Sequence, residues 1–169
     1  DIPDTPAEKS KQLGIYLQDS IKFGSWVISG ALRHDKVESK TLDQSATTGR
    51  LGILYSFDSG IAPYVSYSQS FLPIYGANEV GTPFKPQEGE QYEVGVKYQP
   101  SGTEHLFTAS IYDITDKNRK QSAGPDLTVQ LGEVEIQGLE LEAQLEWDEI
   151  DVYASYAYTD STKHSSTTG

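Results

Sequence analysis

The chain contains no cysteine and no methionine among its 169 residues. Without cysteine there is no disulfide framework, no thiolate metal site and no cysteine nucleophile. The chain also lacks any run of about 18 apolar residues, the length that a transmembrane helix requires. No apolar run near the N-terminus resembles a signal peptide. Any membrane contact must therefore come from apolar residues that are spread along the chain.

Basic residues are scarce. The chain has 13 lysines and arginines against 25 aspartates and glutamates, which gives a formal net charge of -12. This balance argues against a nucleic-acid partner and against a basic patch that binds a membrane surface. The mean hydropathy is -0.50. That value is compatible with a transmembrane β-barrel, because the apolar residues of a barrel strand occupy only alternate positions.

Alternation is clearest in the segment Gln91–Tyr98. Successive side chains of a strand point to opposite faces. One face then carries Tyr92, Val94, Val96 and Tyr98, whereas the other carries Gln91, Glu93, Gly95 and Lys97. An apolar band with an aromatic residue at each end, opposite a polar face, is typical of a strand in an outer-membrane barrel. A half-buried strand of a soluble β-sandwich has the same alternation, so this segment leaves both folds open.

Seven further segments alternate in the same way, and none has the period of a helix. The sequence therefore predicts an all-β fold, an antiparallel up-and-down meander of about eight strands; the loops and the family resemblance described below identify it as part of a transmembrane β-barrel. The other predicted strands are Gln12–Ser20, Ser25–Asp35, Thr47–Phe57, Ile61–Ser70, Glu104–Thr115, Thr128–Trp147 and Asp151–Thr159.

The predicted connections alternate in length. Four tight turns alternate with long polar links at His34–Ala46, Phe71–Glu90 and 116–128. Outer-membrane barrels have short turns at one end and extended loops at the other. The loop pattern therefore favours a barrel over a sandwich.

Sequence motifs for catalysis are absent. The chain has no GxGxxG, Walker A, HExxH, GxSxG or EF-hand signature. Its three histidines, His34, His105 and His164, are far apart, so we expect no metal site. Alternate polar residues from Glu140 to Glu146 indicate a solvated barrel wall rather than a pair of catalytic carboxylates. We therefore expect no enzymatic activity and no intrinsic cofactor.

Five stretches, in this order and spacing, resemble the barrel domain of TonB-dependent outer-membrane siderophore receptors, especially the ferrichrome and hydroxamate class. Each stretch matches a short family pattern, such as the GIYLQD of the first and the QYEVGVKY of the third. They are Gly14–Asp19, Ile61–Phe71, Lys85–Tyr98, Gly132–Ala143 and Tyr156–Asp160.

The resemblance implies a bacterial outer-membrane receptor for ferric siderophores. Its barrel would have about 22 strands around a plug domain. Residues 1–169 would then be a single segment of that barrel, without the plug domain and without the TonB box. The TonB complex would act through parts outside these residues. The two open strand edges of the segment would favour self-association.

The resemblance also assigns roles to side chains. Aromatic residues of the longest outer loop and of one lumen-facing strand would contact the ferric siderophore: Phe71, Tyr75, Phe84 and Tyr112. The alternation itself predicts which apolar residues of two strands would face the lipid of the outer membrane: Tyr92, Val94, Val96, Tyr98, Leu139, Leu141 and Leu145.

Two other functions remain open from the residues alone. One is a small eight-stranded outer-membrane barrel with a structural or anchoring role. The other is a soluble β-sandwich that serves as a binding module.

Overall fold

The computed structural model describes residues 9–39, 42–78, 81–122, 128–130 and 132–164. Within these ranges the chain forms ten β-strands. In chain order, they are β1 Lys11–Phe23, β2 Trp26–Glu38, β3 Asp43–Tyr55, β4 Ile61–Leu72, β5 Gln87–Tyr98, β6 Leu106–Lys117, β7 Lys120–Ser122, β8 Thr128–Gln130, β9 Glu133–Trp147 and β10 Ile150–His164.

The eight long strands form one antiparallel sheet in the order β1-β2-β3-β4-β5-β6-β9-β10. Each long strand pairs with the next long strand along the chain, while β7 and β8 pair only with each other. The predicted all-β meander of eight strands is confirmed. The described part of the chain contains no helix that could span a membrane.

Two predicted boundaries are wrong. The predicted strand Thr128–Trp147 is divided, because its first residues pair with β7 and only Glu133–Trp147 joins the main sheet. The predicted link His34–Ala46 is mostly strand, since β2 and β3 stay paired as far as Glu38 and Asp43. In the link, the sequence at the end of β2 and at the start of β3 is mostly polar, so it has no apolar alternation to indicate a strand. The strands continue there because their backbones remain paired.

The connection between β4 and β5 is shorter than predicted, since the strands include residues at both of its ends. It consists of residues 73–86, of which 73–78 and 81–86 are described; we call these described residues the outer loop. The two ends of the sheet still differ in the length of their connections, as predicted. The β4–β5 and β6–β9 connections at one end are long. At the opposite end β1 and β2 are separated by two residues, and β9 and β10 also by two.

One tight turn depends on a glycine. Gly60 has a φ of 83°, and a Cβ at this position would lie 2.0 Å from the carbonyl oxygen of Gln99. The backbone N–H of Gln99 donates to the carbonyl oxygen of Gly60 at 2.9 Å. The turn after β3 is thereby held against the turn after β5, in a contact that leaves no room for a side chain.

The sheet has one apolar face and one polar face. Paired residues of neighbouring strands lie on the same face, so the registers can be followed across the whole sheet. They define one row that takes an apolar or aromatic residue from every long strand. The apolar row consists of Ile21, Ile28, Ile53, Val65, Val94, Ile111, Leu139 and Tyr158.

This apolar face is largely exposed, because none of the described residues forms a second layer over it. Buried apolar side chains of the described residues lie instead toward the loop end of the sheet: Val37, Leu42, Ile74, Phe84 and Val134. The small core is therefore formed where the outer loop meets the strand ends, and not between two packed layers.

Candidate functional site

The apolar face carries all seven residues that were predicted to face lipid. Tyr92, Val94, Val96 and Tyr98 alternate along β5, and their registers place Leu139, Leu141 and Leu145 of β9 on the same face. Val94 is 53% exposed and Leu141 43% exposed. Large apolar side chains that are exposed on one continuous surface mark an interaction face. Contact with lipid stays a prediction.

Aromatic pairs lie at both edges of this apolar band. Toward the loops, the ring centroids of Tyr67 and Tyr92 are 4.8 Å apart. Toward the turns, those of Tyr98 and Phe107 are 6.2 Å apart. Tyr98 lies six positions after Tyr92, which corresponds to about 20 Å along the strand. Aromatic residues at the two edges of an apolar band are typical of a barrel that spans a membrane.

A second aromatic group lies at the turn end of β2 and β3. The ring centroids of Trp26 and Tyr55 are 4.8 Å apart, and those of Tyr55 and Phe57 are 4.7 Å apart. Both pairs meet edge to face. The rings extend the aromatic edge of the band to the first strands of the sheet. Tryptophan and tyrosine favour the boundary between lipid and water.

The polar face is lined by connected side chains. The hydroxyl of Tyr64 donates to Glu93 Oε1 at 2.6 Å, and Gln91 Nε2 donates to Glu93 Oε2 at 3.1 Å. The Tyr64 ring lies over Gly95, where a Cβ would approach it to 2.6 Å. Lys97 Nζ lies 5.7 Å from the centroid of the same ring. The wall here presents fixed hydrogen-bonding groups, as expected for a face in contact with water or with polar partners.

Charge is unevenly distributed over the polar face. According to the registers, its first three strands carry Lys22, Arg33 and Arg50 together with Asp35. Its last two strands carry mainly acidic residues: Glu140, Glu142, Glu146 and Asp151. Tyr153 donates to Glu142 Oε1 at 3.0 Å. The polar face therefore changes from basic to acidic across the sheet.

Arg33 and Asp35 form an ion pair on the polar face of β2, near the loop end of the strand. The pair lies beyond the apolar band, because the residues of β2 on the apolar face change from Leu32 to the polar His34 and Lys36 at this point. Arg33 Nε donates to Asp35 Oδ2 at 2.5 Å, and Arg33 Nη2 donates to Asp35 Oδ1 at 2.8 Å. These bonds favour the ionised carboxyl and hold the pKa of Asp35 below its ordinary value. Asp35 is buried, so this pair fixes the outer end of β2.

The outer loop turns back on itself. The N–H of Phe84 donates to the carbonyl oxygen of Gly76 at 3.1 Å, and the N–H of Asn78 donates to that of Thr82 at 2.9 Å. Gly76 has a φ of 101°, which a residue with a side chain rarely adopts. The loop therefore has its own hairpin-like structure.

The outer loop is bonded to its surroundings by side-chain amides. Gln44 Nε2 donates to the carbonyl oxygen of Phe84 at 2.9 Å, and Asn118 Nδ2 donates to that of Pro86 at 2.9 Å. Gln130, at the end of β8, bonds both the N–H and the carbonyl group of Lys85. The sequence-based prediction missed these amides, because a polar residue in a loop has no periodic signal.

The four predicted ligand residues occupy different environments. Both Tyr75 and Phe84 belong to the outer loop, but Tyr75 is 42% exposed whereas Phe84 is only 7% exposed. Phe71 lies in β4 rather than in the loop, on the same face as Tyr67. Tyr112 lies on the polar face, and its hydroxyl is 2.9 Å from Thr159 Oγ1. The structure thus groups Tyr75 and Phe84 in one loop and places Phe71 and Tyr112 on opposite faces of the sheet.

Metal ligands are not clustered in the part of the chain that the structure describes. Within it, no group of three or more histidine, cysteine, aspartate or glutamate side chains is arranged to hold a metal ion.

A family model described as TonB dependent receptor-like, beta-barrel matches residues 2–169. Among curated proteins, the chain is 38% identical over 164 residues to the ferrioxamine receptor of Yersinia enterocolitica. This match covers 90% of the chain and 23% of the receptor. It is 34% identical over 173 residues to the ferrichrome outer membrane transporter/phage receptor of Escherichia coli K12, with 95% and 23% covered. The chain thus spans about a quarter of the length of these relatives.

Solved structures share the fold at lower identity. The siderophore receptor PiuA from Acinetobacter baumannii superposes with a TM-score of 0.76 at 22% identity, covering 92% of this chain and 26% of that one. The alcaligin outer membrane receptor FauA from Bordetella pertussis gives a TM-score of 0.71 at 18% identity, with 91% and 30% covered.

Proposed function

Since the chain belongs to the TonB-dependent receptor-like β-barrel family, we propose that it forms part of the wall and outer loops of a receptor that takes up ferric siderophores. Receptors of this kind are outer-membrane β-barrel proteins, so the chain belongs to the outer membrane. One observation carries the assignment of the wall. The apolar row contains a residue from every long strand, and the row beside it on the opposite face contains only polar residues and glycine: Ser20, Ser29, Gly52, Ser66, Glu93, Tyr112, Gly138 and Thr159. In a membrane barrel, lipid covers the first face and the second lines the lumen.

The ligand follows from the relatives. The two curated proteins with 38% and 34% identity are named as receptors for ferrioxamine and ferrichrome. We therefore propose a ferric siderophore of the hydroxamate class as the transported ligand. The TonB complex would act through parts of the receptor outside these residues. The family consists of receptors, and we propose no catalytic activity for this chain.

Tyr75 is the strongest of the four predicted ligand residues. Its exposed ring lies on the outer loop, where a flat face can stack on a ligand at the mouth of the barrel. Phe84 is a buried residue of the same loop and is better placed to support it. Tyr112 would contact a ligand that has entered the lumen. Phe71 shares the lipid-side face with Tyr67, so a contact with a lumenal ligand is the least supported of the four.

The proposed function can be tested in the full receptor. Cells that lack other hydroxamate receptors would express it and be given ⁵⁵Fe-ferrioxamine B or ⁵⁵Fe-ferrichrome. We expect energy-dependent uptake of at least one ligand and weaker surface binding after Tyr75→Ala. The matched control is Phe57→Ala, which removes an exposed aromatic ring at the opposite end of the sheet. Absence of uptake of both ligands by a normally expressed receptor would refute the proposed ligand class.

The open edges β1 and β10 bear on any experiment with residues 1–169 alone. Among the strands that the structure describes, β1 pairs only with β2, and β10 pairs only with β9. Unpaired strand edges recruit other strands. We propose that the isolated segment self-associates through these edges, which the remaining barrel strands would otherwise cover.

A further inference from the structure

Gln130 joins the ribbon formed by β7 and β8 to Lys85 of the outer loop, 45 residues earlier in the sequence. Its Oε1 accepts the N–H of Lys85 at 2.9 Å, and its Nε2 donates to the carbonyl oxygen of Lys85 at 2.7 Å. A side-chain amide has both a donor and an acceptor, so it can bond a residue's backbone as a neighbouring strand would. Gln130 thus attaches the outer loop to the β7–β8 ribbon.

A second amide completes the junction. Gln130 Nε2 also donates to the carbonyl oxygen of Asn118 at 2.9 Å, and Asn118 Nδ2 donates to the carbonyl oxygen of Pro86 at 2.9 Å. Asn118 has a φ of 59°, a left-handed conformation that asparagine tolerates better than most residues. Gln44 also bonds the carbonyl oxygen of Phe84. Side-chain amides therefore bond the backbone of three consecutive residues of the outer loop, Phe84, Lys85 and Pro86.

The ribbon also contacts the exposed part of the loop. Lys120 Nζ donates to the carbonyl oxygen of Tyr75 at 3.4 Å and lies 5.2 Å from the centroid of the Phe84 ring. Lys120 thus reaches both the backbone that carries the exposed tyrosine and the buried ring of Phe84. The contacts made by Gln130 and Lys120 link both arms of the outer loop to one ribbon.

We infer that Gln130 is a positioning residue that locks the outer loop to the β7–β8 ribbon, so that the two move as one unit and present Tyr75 in a fixed place. Its effect on ligand binding rests on the proposed function. The lock itself does not, because it can be measured without a ligand. Gln130 touches no ligand in this scheme and acts through the backbone of Lys85.

Residues 1–169 contain no cysteine, so once any cysteine elsewhere in the receptor is replaced, a single spin label can report the mobility of the loop. Thr82, an exposed residue of the outer loop, would be changed to cysteine in the full receptor and given a nitroxide spin label. Gln130→Ala should increase the mobility of the label, whereas Gln121→Ala should not, since Gln121 is an exposed glutamine on the same ribbon. A label at exposed Ser101, at the turn end, should be unaffected by either change.

A second variant keeps the size of the side chain. Gln130→Glu retains an acceptor for the N–H of Lys85 but loses both donated bonds and faces two carbonyl oxygens with a negative charge. We expect it to mobilise the label at position 82 at neutral pH even if Gln130→Ala fails to assemble. An immobile label in the assembled variants would overturn the lock.

Ligand binding then tests the positioning role. With ⁵⁵Fe-ferrioxamine B and ⁵⁵Fe-ferrichrome as probes, we expect Gln130→Ala to weaken surface binding about tenfold, the scale of one or two lost hydrogen bonds. Unchanged binding with a mobile loop would refute the positioning role. If the unaltered receptor binds neither probe, the proposed ligand class fails, and the mobility of the label still decides whether the lock exists.

Discussion

The ring of Tyr112 lies over Gly138 of the neighbouring strand, so close that a Cβ at Gly138 would meet its Cζ and hydroxyl at 2.3 Å. The two residues are direct partners in the register of β6 and β9. Tyr64 and Gly95 repeat the arrangement between β4 and β5. On the polar face, then, a glycine without a side chain makes room for a tyrosine ring that packs on its backbone.

Gly138→Ala should displace the Tyr112 ring and break its bond to Thr159. We expect a loss of about 1–3 kcal/mol in the free energy of unfolding, the usual cost of overpacking. Urea unfolding of the full barrel in lipid vesicles would measure it. Tyr112→Ser removes the ring, so adding Gly138→Ala to it should cost much less than adding it to the unaltered protein. Equal costs in both backgrounds would contradict the close contact.

Val94→Arg or Leu141→Arg should impair membrane insertion of the full barrel. An arginine on the lipid face near the middle of the membrane costs about 2–4 kcal/mol. The control is Glu140→Arg, which introduces the same side chain one residue away on the polar face. The heat-modified mobility of the folded barrel on gels reports assembly. If Leu141→Arg assembles normally and Glu140→Arg does not, the assignment of the two faces is inverted.

Gly60→Ala should destabilise the barrel more than Gly102→Ala. Both glycines have positive φ values, 83° and 79°, so both changes incur backbone strain of about 1–2 kcal/mol. Only at Gly60 does the new Cβ also collide with the backbone, at the carbonyl oxygen of Gln99. The difference between the unfolding midpoints of the two variants measures the effect of the collision, because both variants share the backbone strain. Equal midpoints would show that the turns after β3 and β5 do not touch.

The outer end of β2 should weaken in acid. Arg33 holds the pKa of Asp35 below its ordinary value of 3.8, so the carboxylate stabilises the fold above that value. The contribution is lost as the pH falls through the lowered pKa, because Asp35 then takes up a proton and its bonds to Arg33 weaken. Hydrogen exchange of β2 amides between pH 5 and pH 2, after subtraction of the intrinsic pH dependence, would detect this. Asp35→Asn should remove the pH-dependent step, and a persistent step would assign it to another group.

Side-chain alternation predicted the main sheet because each strand has its own alternation of apolar and polar residues. Val94 and Val96 identify β5 without reference to any other segment, and the same holds for Leu139 and Leu141 in β9. The outer ends of the strands lack this pattern. At Glu38 and Asp43 the strands continue because backbone groups remain paired, which no single strand reveals.

The outer loop shows the limit of the sequence in another way. Phe84 and Tyr75 were predicted to act alike because both are aromatic residues of one long loop. The structure separates them, since Phe84 is buried and Tyr75 is exposed. Nothing in the sequence singled out Gln130. Its partner is the backbone of Lys85, and every residue has backbone groups, so the side chain at position 85 does not indicate the contact.

The apolar row across all eight strands constrains how the gene can change in length. Inserting one residue in the middle of β5, between Val94 and Val96, would turn every later side chain of that strand to the other face. An insertion of two residues would preserve the faces and shift only the pairing. Insertions and deletions inside the strands should therefore be tolerated only in even steps, while the connection between β4 and β5 can change by any number. Variation in length should accumulate where a receptor meets its environment, and the wall should stay constant.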